Sequence, residues 1–344
     1  MNFYLKRVPY TFYFFIVVYL LFLLNYFEFP DSLDIGRYYL NAEDSAKMYD
    51  NIWLFIKHTF EVNNDFVYMT TLFVAVKLGI PLNFITILYL SLYYICICEM
   101  LRHLNTFTKV PNIVLLYILM CAPFIWVMEI SRNLAAIAFL YLSIFRFING
   151  CKKSALLFLI MSVMTHISMI VYLPLMLCSV YLSKTNFIPN KKIVTSFFII
   201  LIIIGVFIPN TIVNVMVMLT ESSDSRYAYY SEMDNIIPLR TSLIGYGDKI
   251  PIIYIFIYSI YIVINNSKHD FYYWMLFLLT GVLSFAIFSS LMLTNRIIML
   301  MPMFIGVNVC SLLKYHQKSL FILSLGGALC VMAHFYSYRT NFCF

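Results

Sequence analysis

Charge is scarce in this chain: Lys, Arg, Asp and Glu make up 11% of its 344 residues, against about a quarter in an ordinary soluble domain. So few ionisable groups cannot solvate the surface of a water-soluble fold of this length, and no polar stretch exceeds a loop. A second absence argues against energy coupling through a nucleotide, since no Walker loop, HExxH, GxSxG or Rossmann fingerprint occurs. The eight cysteines, at positions 96, 98, 121, 151, 178, 310, 330 and 343, form neither a disulfide framework nor a metal-ligand spacing. Cys96 and Cys98 are two residues apart, so on a helix they point to different faces. No metal and no cofactor is expected. There is also no internal repeat.

What is present is apolar. Hydrophobic residues make up 62% of the chain and the mean hydropathy is +0.86. Runs approaching the roughly 20 residues that span a bilayer recur along its whole length. They predict an all-α, polytopic helix bundle, a single integral membrane domain over 1–344 with about 10–11 transmembrane segments, some broken or re-entrant. The spans read 10–29, 82–101, 111–128, 130–148, 155–183 (interrupted), 193–209, 250–265, 271–291, 295–313 and 319–337. The first run follows Lys6 and Arg7 but is long and lacks a small-residue cleavage site, which makes it an anchored helix rather than a signal peptide.

Lys and Arg set the orientation. Grouping the short basic loops puts 13 of the 23 basic residues on one side, from Lys6 and Arg7 through Lys152, Lys153, Lys191 and Lys192 to Lys318. Only Glu99 and Asp270 of the 16 acidic residues accompany them, so that side carries +11 and the other −4. The N-terminus is therefore expected in the cytoplasm, and the overall +7 is a topology signal rather than a nucleic-acid footprint. For its flanking lysines to share a side, 155–183 must enter and return, bending near Met164-Thr165-His166-Ile167-Ser168 and placing His166 near the outer leaflet.

Two external loops are expected, near 30–65 and 210–249. The first is acidic and aromatic, and 66–80 after it reads as a short amphipathic or re-entrant helix ended by Gly79 and Pro81. The second mixes carboxylates with Arg226, Tyr230 and further tyrosines, a composition suited to carbohydrate.

Arg132 interrupts the longest apolar stretch, Trp126 to Leu140, and His166 interrupts the next. Ionisable groups at membrane depth are costly, and their default reading is functional. Ser131, Asn133, Thr165 and Ser168 beside them suit a hydrated cleft between helices. Arg132 and Arg296 both start helices at the external side on this topology, Arg226 lies in the second loop, and His166 caps the hairpin. Guanidinium groups at headgroup level match phosphate oxygens, so a phosphorylated lipid such as a polyprenyl diphosphate is a fitting substrate. Taken singly, each has a plainer reading. Arg132 is then an interfacial anchor, His166 a histidine at a helix bend, Asp34 and Tyr38 solvated loop residues, and Glu129 a neutraliser of Arg132. His166 has no obvious acid partner.

The order of these features resembles the EpsG family of bacterial polysaccharide polymerases, which includes many Wzy-type O-antigen polymerases. The resemblance rests on Arg132-Asn133-Leu134-Ala135-Ala136, the Lys-rich turn Asn149 to Ser154, and His166-Ile167-Ser168-Met169. Asp34-Ile35-Gly36-Arg37-Tyr38 looks like the family's Asp/Tyr loop, and Arg226-Tyr227-Ala228-Tyr229-Tyr230 like its later Arg/Tyr loop. Asn133 stands where the family usually has glutamine and Ile167 where it usually has lysine, and no tyrosine follows Arg296.

The resemblance implies a GT-C-like membrane glycosyltransferase of the bacterial inner membrane. It would transfer a glycan from polyprenyl diphosphate to a sugar hydroxyl of another lipid-linked repeat unit at the periplasmic face. Arg132 and Arg296 would hold the diphosphate and Arg226 would assist. His166 would orient the acceptor or act as base, with Asp34, Tyr38, Tyr230 and Asn133 binding substrate. The implied partners are the two lipid-linked oligosaccharides, membrane lipid and a chain-length regulator protein. The alternatives are an O-antigen ligase and a flippase for the lipid-linked sugar.

Overall fold

The computed structural model describes residues 4–5, 34–62, 65–104, 110–111, 131–185, 187–207, 246–289 and 291–313. Apart from one antiparallel pairing of Tyr4–Leu5 (β1) with Val110–Pro111 (β2), the regular structure among them is helical. That pairing brings the segment before Lys6 against the one after Lys109, two loops that the charge distribution assigns to one side. The expected spans 10–29 and 319–337, and 111–128 beyond Pro111, lie outside the described residues. The chain divides into two compact units, Met1–Asn112 with Phe124–Pro174, and Ile113–Pro123 with Leu175–Phe344.

In the first unit, α1 (Asp34–Met48) and α2 (Ile52–Val62) pack on α3 (Phe66–Lys77), which packs in turn on α4 (Leu82–Leu104). Residues 34–62 are thus largely helical, where an external loop was expected. The reason lies in Tyr38, Tyr39, Ala42 and Ala46, whose three- and four-residue spacing makes one apolar stripe that packs into the core around α3. The short helix expected over 66–80 is present as α3. Tyr68, Met69, Leu72, Phe73 and Ala75 are buried in it, Phe55 of α2 stacks on Phe73 at 4.1 Å, and Thr71 Oγ1 lies 2.7 Å from the Tyr89 hydroxyl of α4. It stops at Gly79, which adopts φ +67° so that Ile80 N can bond back to Ala75 O at 2.8 Å.

The helices α5 (Ser131–Ile148) and α6 (Lys152–Thr165) are joined by the turn at Asn149–Cys151 and pack closely. Two buried hydroxyls record their register. Ser143 Oγ donates to Ala155 O at 2.8 Å, and Ser162 Oγ donates to Ala136 O at 2.7 Å. Ser143 and Ala155 stand six residues either side of Asn149, and Ala136 and Ser162 stand thirteen, so one antiparallel register runs through both bonds. Small residues on the facing sides (Ala135, Ala136, Ala155) let the backbones approach closely enough for this, as in membrane helix pairs. The chain then breaks at His166, whose extended backbone (φ −158°, ψ 117°) leads into a 3-10 turn, Ile167–Val171, and α7 (Tyr172–Ser183). The interruption expected at 164–168 is therefore present.

The second unit contains α8 (Lys191–Phe207), α9 (Tyr246–Asn265), α10 (Phe271–Ser289) and α11 (Leu291–Leu313). Gly205 of α8 meets the backbone of α10, where an added Cβ would lie 2.3 Å from Phe285 O. Asn308 bridges the unit's interior: its Nδ2 donates to Tyr272 O at 3.0 Å and Phe304 O at 2.8 Å, and its Oδ1 accepts from Asn266 Nδ2 at 2.6 Å. Leu82–Met100 and Phe271–Phe288 are long and apolar enough to cross a membrane, and Phe66–Lys77, Ser168–Ser183, Ile252–Asn265 and Arg296–Val309 are shorter apolar helices. Outward-facing Ile199, Ile200, Ile203, Ile204 and Phe207 of α8 form a face that lipid solvates better than water.

Candidate functional site

The register of the α5/α6 hairpin predicts its own next layer. Arg132 lies one helical turn beyond Ala136, and His166 one turn beyond Ser162. Both stand seventeen residues from Asn149. They are opposite each other at the open end of the hairpin, and there a third residue joins them.

Asp65 occupies the position that precedes α3, where an aspartate ordinarily caps the helix. Its side chain makes no capping hydrogen bond. One carboxylate oxygen, Oδ2, accepts from Arg132 Nη1, and the other, Oδ1, lies 3.1 Å from His166 Nδ1. Asp65 and His166 are buried, at 5% and 4% exposure, and Arg132 is nearly so at 12%. Burying a lone carboxylate would cost several kcal/mol, on the order of what is lost when one partner of a buried ion pair is removed. A guanidinium stays charged in any protein environment, so the Arg132–Asp65 pair is neutral as a unit. Behind it, the guanidinium carbon lies 4.8 Å from the centroid of the Tyr38 ring, a cation–π contact. Tyr38 in turn meets Tyr68 edge-on at 5.7 Å.

This arrangement orders the histidine. A carboxylate only accepts, so at Oδ1 the hydrogen bond is donated by Nδ1–H, and the neutral ring then carries its lone pair on Nε2. The backbone holds the ring from both sides of the break: His166 N donates to Ser162 O and its carbonyl accepts from Met169 N, each at 3.0 Å. An oriented imidazole beside a fixed guanidinium can take a proton from a hydroxyl while a neighbouring anion is stabilised.

The match of the EpsG family model covers residues 11–343, nearly the whole chain. The chain belongs to the EpsG family. No curated protein and no solved structure matches it significantly. Family membership and apolar helices together make this a membrane protein connected with polysaccharide synthesis. The residues that carry the resemblance to the EpsG family, Arg132–Ala136, the turn at 149–154 and His166–Met169, are the start of one arm of a hairpin, its bend and the break that follows its other arm.

Of the residues expected at the site, Arg132, His166 and Tyr38 come together. Asn133 is buried beside Arg132, and its Oδ1 has no hydrogen-bond partner among the described residues. The same holds for Ser168 Oγ and Thr70 Oγ1, on the segments that follow His166 and Asp65. Thr165, expected to line a cleft, is buried and donates to Met161 O at 2.7 Å within its own helix. Asp34 is the first residue of α1, with its side chain outside those described. Arg226 and Tyr230 lie outside the described residues. Arg296 belongs to the second unit and sits half-buried in the second turn of α11, which begins at Leu291 rather than at the arginine.

The residue that sequence reasoning missed is Asp65, and its omission made His166 look partnerless. Its one local signal is a carboxylate directly before an apolar helix. In the same unit, Tyr39 of α1 is held 2.5 Å from Thr86 Oγ1 of α4. Burial pushes its hydroxyl well above the usual phenol range, with the Thr86 hydrogen bond opposing.

Proposed function

We propose that this EpsG-family protein is a surface-polysaccharide polymerase of the Wzy type, a GT-C-like glycosyltransferase in the bacterial inner membrane with its N-terminus in the cytoplasm. It transfers a glycan from polyprenyl (undecaprenyl) diphosphate to a sugar hydroxyl of another lipid-linked repeat unit at the periplasmic face. The observation that carries this reading is the meeting of Arg132 and His166 on one buried carboxylate. A phosphate-matching cation and a proton acceptor are the two functions such a transfer requires.

In the reaction, the acceptor hydroxyl gives its proton to His166 Nε2 as its oxygen bonds to the anomeric carbon of the donor. The bond from that carbon to the diphosphate oxygen breaks, and its electron pair leaves with the polyprenyl diphosphate. The proton on His166 is then released to water. Arg132 uses Nη1 on Asp65, and the guanidinium has five N–H groups in all. The remaining donors stabilise the departing diphosphate without a metal, a role that the family resemblance also gives to Arg296 and Arg226. When His166 takes the proton, the Arg132–Asp65–His166 group changes from neutral to cationic at the moment the leaving group gains charge. Asp34, Tyr38, Tyr230 and Asn133 bind the sugars, and membrane lipid and a chain-length regulator protein are the further partners.

The test is the surface polysaccharide of a deletion strain. A polymerase leaves a single repeat unit on the core when lost, a ligase leaves no unit there, and a flippase leaves little exported. Long chains that persist in the deletion strain would remove the polymerase reading. A second reading is favoured by one observation: the His166–Asp65 pair supplies the acid partner that a membrane acyltransferase acting on sugar hydroxyls requires. Loss of acyl groups with chain length intact would select it.

A further inference from the structure

Asp65 is related to the site by no motif, yet its side chain touches both Arg132 and His166. A merely structural role would be to neutralise Arg132, and that needs only one of its oxygens. The second oxygen is directed at Nδ1 of a histidine whose own backbone is held in an extended break between two helices. Asp65 also forgoes the cap of its helix, a hydrogen bond that an aspartate at that position ordinarily supplies. A residue that gives up a local hydrogen bond to join two distant segments, at 132 and 166, is placed for what it does there.

We infer that Asp65 is the positioning residue of this site: through Oδ1 it holds His166 as the Nδ1–H tautomer, leaving Nε2 as the proton acceptor, while Oδ2 holds Arg132 beside it. The inference rests on the polymerase reading only for what the proton acceptor serves; the tautomer stands on the geometry alone. The carboxylate does not itself take the proton. It orients the ring and stabilises the imidazolium formed when the acceptor hydroxyl is deprotonated, the role such a carboxylate has in a hydrolase triad.

The experiment reads the ring nitrogens directly. The full-length protein, labelled with ¹⁵N-histidine and held in detergent micelles, contains six histidines, and the signal lost in His166→Gln assigns the one of interest. In the unsubstituted protein Nδ1 gives a protonated, pyrrole-type signal and Nε2 a pyridine-type one. In Asp65→Asn the amide turns its N–H toward the ring, and the two signals exchange or become mixed. Asp65→Glu, which keeps the charge, retains the original pattern. If Asp65→Asn is not recovered because Arg132 is left buried without a counter-charge, Asp65→Asn/Arg132→Gln leaves no charge unpaired and reads the same nitrogens.

Alongside, Asp65→Asn lowers polymerisation on the order of 10²–10⁴-fold, seen as loss of long chains in a complemented deletion strain at normal membrane protein level. Asp65→Glu recovers part of the chain length. A pyridine-type Nδ1 in the unsubstituted protein, or the same tautomer in both it and Asp65→Asn, overturns the assignment. An altered tautomer with normal long chains overturns the positioning role in the reaction. Should the unsubstituted protein itself fail to restore long chains, the polymerase reading falls, while the nitrogen signals still decide what Asp65 does to His166.

Discussion

The buried polar groups of the first unit include a carboxylate, a guanidinium and an imidazole, brought together from residues 65, 132 and 166. Among the described residues of the second unit, the buried polar groups include the amides of Asn266 and Asn308, which bond to each other and to nearby carbonyls. Neutral amides in an apolar bundle fasten helices at modest cost, because each donor finds an acceptor within the same few turns. Ionisable groups at that depth gain nothing in packing that an amide or an alkyl chain would not supply. Where they persist, and are drawn from three distant segments onto one carboxylate, chemistry is the economical explanation.

The largest expected effect tests that contrast at Arg132. Arg132→Lys keeps a positive charge for Asp65 but loses the planar fork, and severe shortening of the polysaccharide is expected at normal membrane protein level. Arg132→Ala abolishes chains, and part of that loss is stability, since a buried carboxylate without its partner costs about 3–5 kcal/mol. The lysine variant is therefore the informative one. If it makes normal long chains in a complemented deletion strain, Arg132 is an interfacial anchor and the contrast between the units collapses.

The converse variant is Asn308→Leu in the second unit. It removes the partner of Asn266 Nδ2 and the donor to Tyr272 O, at a cost of about 1–3 kcal/mol. The expected outcome is a lower melting temperature in detergent with an unchanged distribution of chain lengths per molecule of protein. Shortened chains from an equally abundant, folded protein would show that the second unit's amide network is also part of the functional machinery.

Much of this geometry can be read along the chain. The Asn149–Gly150 turn with an apolar arm on each side implies an antiparallel hairpin, but its register, and with it the placing of Arg132 opposite His166, follows only from the Ser143–Ala155 and Ser162–Ala136 bonds. The break at 164–168 and the helix that carries Arg132 in its first turn are equally local signals, a histidine between apolar runs and a Ser131/Asn133 pair around a charge. Residues 34–62 read as a loop because their acidic and hydroxyl content hides the Tyr38–Tyr39–Ala42–Ala46 stripe. Asp65 could not be paired with Arg132 from the sequence, since its contacts span 67 and 101 residues and depend on how α3 docks beside the hairpin. A carboxylate that ends a polar stretch looks solvated until the helix after it is known to be buried.

Histidine offers the finest comparison between the units, and the smallest effect. His269 lies before α10, edge-on to Tyr273 at 4.5 Å, and partial burial lowers its pKa from 6.5, with the nearby Asp270 carboxylate opposing. The folded protein therefore binds a proton at this ring less readily than the unfolded chain does. Above about pH 6.5 both states are neutral there and the ring leaves stability unaffected. As pH falls below that value the unfolded chain takes up the proton first, so stability declines through the interval down to the folded-state pKa. Because the ring is only partly buried, water screens part of the difference and the decline is slight. His269→Gln removes this contribution, and its melting temperature in detergent is expected to fall less steeply than that of the unsubstituted protein as pH is lowered below 6.5, with chain length unaffected. An equal slope in both proteins would mean that burial at His269 is relieved before unfolding.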